Sequence, residues 1–331
     1  MKRVLSLNNL LQRTGGWYII IIIALAQLSA FIGAAVGTIS IYLNAELDPE
    51  TLAETSRLTP WFLLAGNLIL LAVAWYLTPN TRKRLTAWST GQLKVNHKEE
   101  LSAWKEITSL TWRYGTAALI IAYVVDILPT ALLSYRQGIT TSDQLVYSLL
   151  GGLVSVLATV IFAVLIIDRL LIPPRLVLIP KDFDAQLNGL AGLSLNIKFQ
   201  VLILILVAIG ILMIGPVGFH FMNESLTPEN QSLRQAYQLQ ATIVSLLALI
   251  LGAVLAFFIS RTVSVPLKDL ISTFKAIEEG DLSKRANVTA TDEIAEVTMH
   301  FNSMVTSIEE LRGTLEKQVQ DRTRLLKATN D

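Results

Sequence analysis

The chain is 331 residues long, 52% of them hydrophobic and only 16% charged, a balance far from that of a soluble globular domain and close to that of a multi-spanning membrane protein. Its 27 basic residues nearly cancel its 26 acidic ones, so no polyanion-binding surface and no nucleic-acid partner are expected. Cysteine is absent and the three histidines, His97, His220 and His300, fall in separate segments without ligand spacing, which leaves no expected metal or cofactor and no thiol chemistry.

Residues 1–16 form a polar N-terminal segment carrying Lys2, Arg3 and Arg13. The apolar run beginning at Trp17 is far longer than the core of a secretion signal, so it reads as a retained membrane anchor. Six stretches, 17–43, 61–77, 114–133, 146–167, 199–219 and 239–259, approach or exceed the ~20 residues that a helix needs to cross a bilayer. They predict a transmembrane sensor region over 17–260. The segments 1–16, 78–113 and 168–198 hold most of the basic residues, whereas the opposite loops hold one arginine each, Arg57, Arg136 and Arg234. Basic loops stay in the cytoplasm, so a membrane crossed six times, with both ends cytoplasmic, is expected. Trp17, Trp61, Trp75 and Tyr76 fall where interfacial aromatics belong.

The spans pair into three hairpins, and each hairpin ends in proline and basic residues: "TPNTRKRLTAW", "LIPPRLVLIP" and "SRTVSVPLKDLI". Either common helix-end chemistry or an ancestral triplication explains that pattern. The outer loops, 44–59, 134–145 and 220–238, are too short to fold as binding domains. A stimulus is therefore read in the bilayer or at its rim, from lipids, a small hydrophobic ligand or a membrane partner. Asp126 lies mid-span, where an ionisable group is costly unless it faces the bundle interior. It reads either as a contact for a polar ligand group or proton, or as a strut against Gln27 or Asn67. Gly33 with Gly37, and Gly252 with Ala256, are small-xxx-small pairs suited to close helix approach between copies. Pro216 is expected to kink or end the fifth span, and Asp168 with Arg169 to form an interfacial pair.

Beyond Arg261 the pattern changes. Leu267, Leu270, Phe274 and Ile277 share one helix seam, with Pro266 suited to the first turn and Gly280 to the stop. The helical period is lost from 281 to 291, where Leu282 and Val288 stand as isolated apolar residues of an extended connector. Asp292 can cap a second helix and Glu293 favours its positive end. Its seam runs through Ile294, Val297, Phe301, Met304, Ile308, Leu311 and Leu315. Each helix has one apolar stripe and a solvated back, so neither is stable alone. Two such helices from each of two chains predict a parallel homodimeric four-helix bundle. The fold class is thus all-α: a six-helix membrane bundle, a four-helix bundle shared by two copies, and a short coiled coil.

This tail resembles a HAMP domain, the signal-relay module of bacterial transmembrane receptors, over 261–315. Pro266 matches the proline that opens the family's first helix, and Gly280, Asp281 and Leu282 match its glycine-acid-leucine end. Leu282 and Val288 match the connector's packing residues, Asp292 and Glu293 the acidic pair, and Phe301, Asn302 and Met304 the F-N-x-M core. Ala295 stands where many members carry glycine. The segment 316–331 resembles the signalling helix that joins such relays to output domains, with a stutter in its seam near Val319. The resemblance implies a homodimeric receptor whose output, outside this chain, is a histidine kinase. The membrane part is similar to the six-span regions of class III adenylate cyclases, which makes a cyclase the alternative output. A non-catalytic scaffold and a transporter-like protein are further readings.

Overall fold

The computed structural model describes residues 2–45, 47, 49–57, 59–92, 96–179, 195–224, 231–288 and 293–330. Among them there is no β-strand, and the chain is all-α. It divides into two compact units, one of Met1–Pro180 and Ala191–Phe258, the other of Lys181–Leu190 and Ile259–Asp331.

The first unit is built from α1 (Lys2–Thr14), α2 (Trp17–Ala26), α3 (Ser29–Ala45), α4 (Pro49–Ser56), α5 (Thr59–Leu77), α6 (Pro79–Ser89), α7 (His97–Ile121), a π-helical turn (Ala122–Ile127), α8 (Leu128–Arg136), α9 (Ser142–Leu170), α10 (Ile172–Leu178), α11 (Leu195–Glu224) and the N-terminal part of α12 (Gln231–Glu278). Among the described residues, five segments are long and apolar enough to cross a membrane: Trp17–Tyr42, Pro49–Leu77, Lys98–Arg136, Ser142–Leu170 and Phe199–Pro216. The place expected for a sixth coincides with a shorter apolar stretch of α12, Ala241–Val254. Leu64, Leu68, Leu204, Ile211 and Leu249 are exposed, as befits surfaces solvated by lipid tails, where apolar residues face outward at no cost.

The spans are less uniform than their sequence suggests. The first is broken at Gln27–Leu28 into α2 and α3, and the third passes through the π-helical turn between α7 and α8. Pro216, the last residue of the fifth span, does not end its helix, since α11 continues to Glu224. Likewise Pro266 does not open a helix; it lies inside the 48-residue α12. Each proline removes one backbone bond, to the carbonyl four residues earlier; the helix continues because its other bonds remain.

Helix α9 is the axis of this unit. Its start is fixed by a reciprocal capping box: the Gln144 backbone N–H donates to Thr141 Oγ1 at 3.3 Å, and the Thr141 N–H donates to Gln144 Oε1 at 3.0 Å. Val154, Leu157, Ala158 and Ile161 are buried along it with Ile209 and Met213 of α11. Helix α3 lies against α9 with glycine at the contact. A Cβ on Gly33 would fall 1.8 Å from Thr159 Oγ1, and one on Gly37 2.4 Å from Ser155 Cβ. This pair therefore serves packing within one chain and not the contact between copies that its spacing suggested. Gly151 and Gly152 answer from α9, against Ile41 and Ile127. Gly37→Leu is expected to lose about 1–3 kcal/mol through overpacking, read as a lowered thermal midpoint in nanodiscs. Gly210→Ala, with nothing within 4 Å of its added Cβ, should be neutral or slightly stabilising.

At one end of this unit α1, α6, α10 and the start of α7 pack together. The N-cap of α6, Thr78, turns its hydroxyl back to the Ala74 carbonyl at 2.8 Å. Glu106 of α7 takes over the capping role, accepting from the Asn80 N–H (3.3 Å), the Thr81 N–H (2.8 Å) and the Asn80 amide (2.7 Å). A carboxylate there also complements the positive helix end. Arg84 pairs with Glu100. The guanidinium of Arg175, buried to 1% exposure, donates to Asp168 Oδ1 at 2.9 Å, to the Asp168 carbonyl at 3.3 Å and to Thr111 Oγ1 at 3.2 Å. Asp168 is thus partnered by Arg175, seven residues on, where the sequence suggested its neighbour Arg169. Adjacent helical residues point about 100° apart, whereas the turn into α10 brings Arg175 back over the end of α9.

The second unit contains the C-terminal part of α12, a connector, and α13 (Glu293–Asn330). Gly280 ends α12 with φ +98°, a conformation in which a Cβ would be strained.

Candidate functional site

The site built by the second unit is a helix–connector–helix module. Leu270 of α12, Ala286 of the connector, and Phe301 and Val305 of α13 form its buried core, with Ile277 packed against it. The Phe274 and Phe301 rings meet at 4.1 Å between centroids. Val288 and Ala295 are buried as well; the latter's burial explains a small residue there. Leu282 is partly buried.

Polar groups hold the connector in place. Asp281 Oδ1 accepts from the Ser283 hydroxyl at 2.6 Å and the Ser283 N–H at 3.2 Å. These bonds, the hydroxyl's first, hold its carboxyl below the usual range. Asn302 grips the backbone of Ala286 twice: its Oδ1 accepts the Ala286 N–H at 2.9 Å, and its Nδ2 donates to the Ala286 carbonyl at 2.9 Å. Asp269 of α12 accepts from the Asn287 N–H at 2.9 Å and its amide at 3.2 Å. Arg285 reaches Glu309 at 2.7 Å. An extended segment has no ladder of its own, so side chains on both flanking helices satisfy its backbone. Asn302→Ala strands the Ala286 amide and carbonyl and should cost about 1–3 kcal/mol, seen as faster hydrogen exchange of the Ala286 amide.

The expected seam residues divide between two faces. Leu270, Ile277 and Phe301 turn into the module, whereas Leu267, Phe274, Val297 and Met304 are at least one third exposed, as are Ile308, Leu311 and Leu315 further along α13. Ile294 is partly buried. The inward stripe of α13 is instead Ala295, Thr298, Phe301 and Val305, a second series of threes and fours offset from the outward one. Asp292 lies outside the described residues, and Glu293 is described only as the first residue of α13. His300 is exposed, 3.9 Å from Glu296, as a surface residue should be.

In the first unit, Asp126 sits in the π-helical turn, 7% exposed. Its Oδ1 is buried and reaches no hydrogen-bond partner among the described residues. The strut to Gln27 or Asn67 is not formed: the Gln27 amide donates to the Asn67 carbonyl at 2.9 Å, which draws it toward α5. Asp126, Gln27 and Asn67 all line one cavity of about 180 Å³. No cluster of His, Cys, Asp and Glu among the described residues could hold a metal ion.

Residues 258–310 match the model of the HAMP domain family. The chain carries a HAMP domain. The chain is similar to methyl-accepting chemotaxis protein McpC of Bacillus subtilis, 38% identical over 68 residues, 20% of this chain and 10% of that protein. McpA of the same organism is 33% identical over 81 residues, 24% and 12% of the two chains. Sensor protein SrrB of Staphylococcus aureus is 38% identical over 68 residues, 20% and 12%. The matched stretch spans about a tenth of the length of these curated relatives. No solved structure matches the chain. Apolar helices of membrane length together with a HAMP domain of receptor type make this a membrane protein whose tail belongs to signal relay.

Proposed function

We propose that this chain is the sensing and relay region of a homodimeric bacterial inner-membrane receptor, crossing the bilayer six times with both ends in the cytoplasm. The observation that carries the reading is the outward apolar face of the HAMP domain. Leu267, Ile271 and Phe274 on α12, and Val297, Met304, Ile308, Leu311 and Leu315 on α13, are all exposed at the spacing of a coiled-coil seam. A second copy of the same face would cover them in the parallel four-helix bundle that this pattern favours.

The output we favour is a histidine kinase, supported by the similarity to a sensor protein and by the signalling-helix character of 316–331. A chemoreceptor output is the second reading, favoured by the two chemotaxis relatives. Chimeras joining residues 1–331 to each output separate them, because only a compatible junction passes a stimulus.

The dimer is tested first. The chain has no cysteine of its own, so single substitutions report without background. Met304→Cys and Leu311→Cys should form disulfide-linked dimers in native membrane vesicles under mild oxidation, whereas Glu310→Cys, on the back of α13, should not. Monomers at both seam positions would remove the receptor reading.

A further inference from the structure

We infer that the cavity around Asp126 is a binding site for a small lipid-soluble amine, with the Asp126 carboxylate as its counter-ion. The inference rests on the receptor reading above, for which it names the class of stimulus. Three observations carry it.

The cavity measures about 180 Å³. A dry cavity of about 150 Å³ accepts benzene, so this one has room for a single ring bearing a short substituent. Its wall combines apolar surface with Gln27, Asn67, Tyr114, Asp126, Thr130 and Thr159. That mixture of grease and a few convergent polar groups marks small-molecule sites.

Among the described residues, Asp126 is the one acidic group in that wall, and no lysine or arginine lines it. Its Oδ1 has no hydrogen-bond partner among them. Nearby hydroxyls are turned away from it: Thr130 Oγ1 donates to the Asp126 carbonyl at 2.7 Å, Ser134 to the Thr130 carbonyl at 3.0 Å, and Ser29 to the Thr159 carbonyl at 3.1 Å. What the carboxylate lacks is a donor with positive charge. A ligand ammonium supplies both.

The local backbone is shaped around the cavity. The π-helical turn that carries Asp126 adds an extra residue to the helical turn, a distortion often retained where a side chain serves a ligand. The break in the first span falls at Gln27, which also lines the cavity. Gly66 also lines the cavity and meets nothing within 4 Å of a built Cβ.

The test uses the whole chain in lipid nanodiscs, with benzylamine, benzyl alcohol and toluene as probes of one shape and different polarity. Binding is read by saturation-transfer NMR and by thermal shift. Benzylamine should bind the parent protein and raise its unfolding temperature, and Asp126→Asn should weaken that binding at least about tenfold. Gly66→Leu fills the open space while leaving the carboxylate, and should abolish binding of all three probes. No binding of benzylamine, equal binding of toluene and benzylamine, or unchanged affinity in Asp126→Asn would each overturn the site. Crosslinking of Met304→Cys is measured in the same preparations. Intact dimers without amine binding refute this inference alone, whereas loss of the dimer refutes the receptor reading.

Discussion

Removing the carboxylate of Asp168 should destabilise the first unit more than removing its partner Arg175, although both substitutions break the same ion pair. The two groups are buried to different degrees: the Arg175 side chain is 1% exposed and that of Asp168 is 31% exposed. Asp168→Ala leaves a guanidinium that water cannot reach, with only Thr111 Oγ1 and the Asp168 carbonyl still in place. A buried charge stripped of its partner costs about 3–5 kcal/mol. Arg175→Met leaves a carboxylate that water can solvate, and methionine refills most of the vacated volume, so about 1–2 kcal/mol is expected from the lost bonds. Thermal unfolding of both variants in one nanodisc preparation gives the order directly. A larger loss in Arg175→Met would show that the guanidinium is solvated in the native protein, and that the end of α9 is wetter than its burial indicates.

Much of this arrangement was legible in the sequence, and the illegible parts have a common physical cause. Spans and helix seams declare themselves through apolar periodicity, so the all-α class and the HAMP tail could be read from residues such as Gly280, Phe301 and Met304. Periodicity says which residues share a face, but not whether a neighbour in the same chain or another copy covers it. Gly33 and Gly37 therefore read as a contact between copies, while in the structure they admit Ser155 and Thr159 of α9. Val305 is hard to read because the expected seam of α13 already satisfies a heptad, and the inward stripe of Ala295, Thr298, Phe301 and Val305 shares Phe301 with that seam. A second run of small and apolar residues one position along was the available signal.

Polar contacts were harder still. No local pattern indicates that Glu106 caps α6, because 25 and 26 residues separate it from the groups it binds. Arg175 stands among prolines in a segment that looks like an ordinary helix end, and its role depends on the turn that returns it to Asp168. Asp126 was visible as an intramembrane acid. The cavity beside it was not, since its wall is assembled from residues as far apart in sequence as Gln27, Asn67, Asp126 and Thr159.

Alanine insertions between Ile259 and Pro266 should change signalling with a helical period instead of in proportion to their number. Helix α12 spans Gln231–Glu278 without interruption, so the same element carries the apolar stretch Ala241–Val254 and the HAMP residues Leu267 to Ile277. Each inserted residue rotates the C-terminal part of the helix by about 100° and advances it by about 1.5 Å. One residue therefore turns the outward HAMP face by about a quarter of a circle, two by about 200°, and four by about 400°, which is within ~40° of the start. In a chimera with an active kinase output, the two-residue insertion should depart most from the parent and the four-residue insertion least. The crosslinking pattern at Met304 and Leu311 should survive all of them, because the HAMP dimer is held by its own seam and only its phase relative to the apolar stretch is altered. Output that changes steadily with insertion length would instead point to translation along the helix axis as the transmitted motion. Output indifferent to every insertion would mean that the helix between 259 and 266 does not transmit at all, and that the relay is set by contacts within the HAMP domain alone.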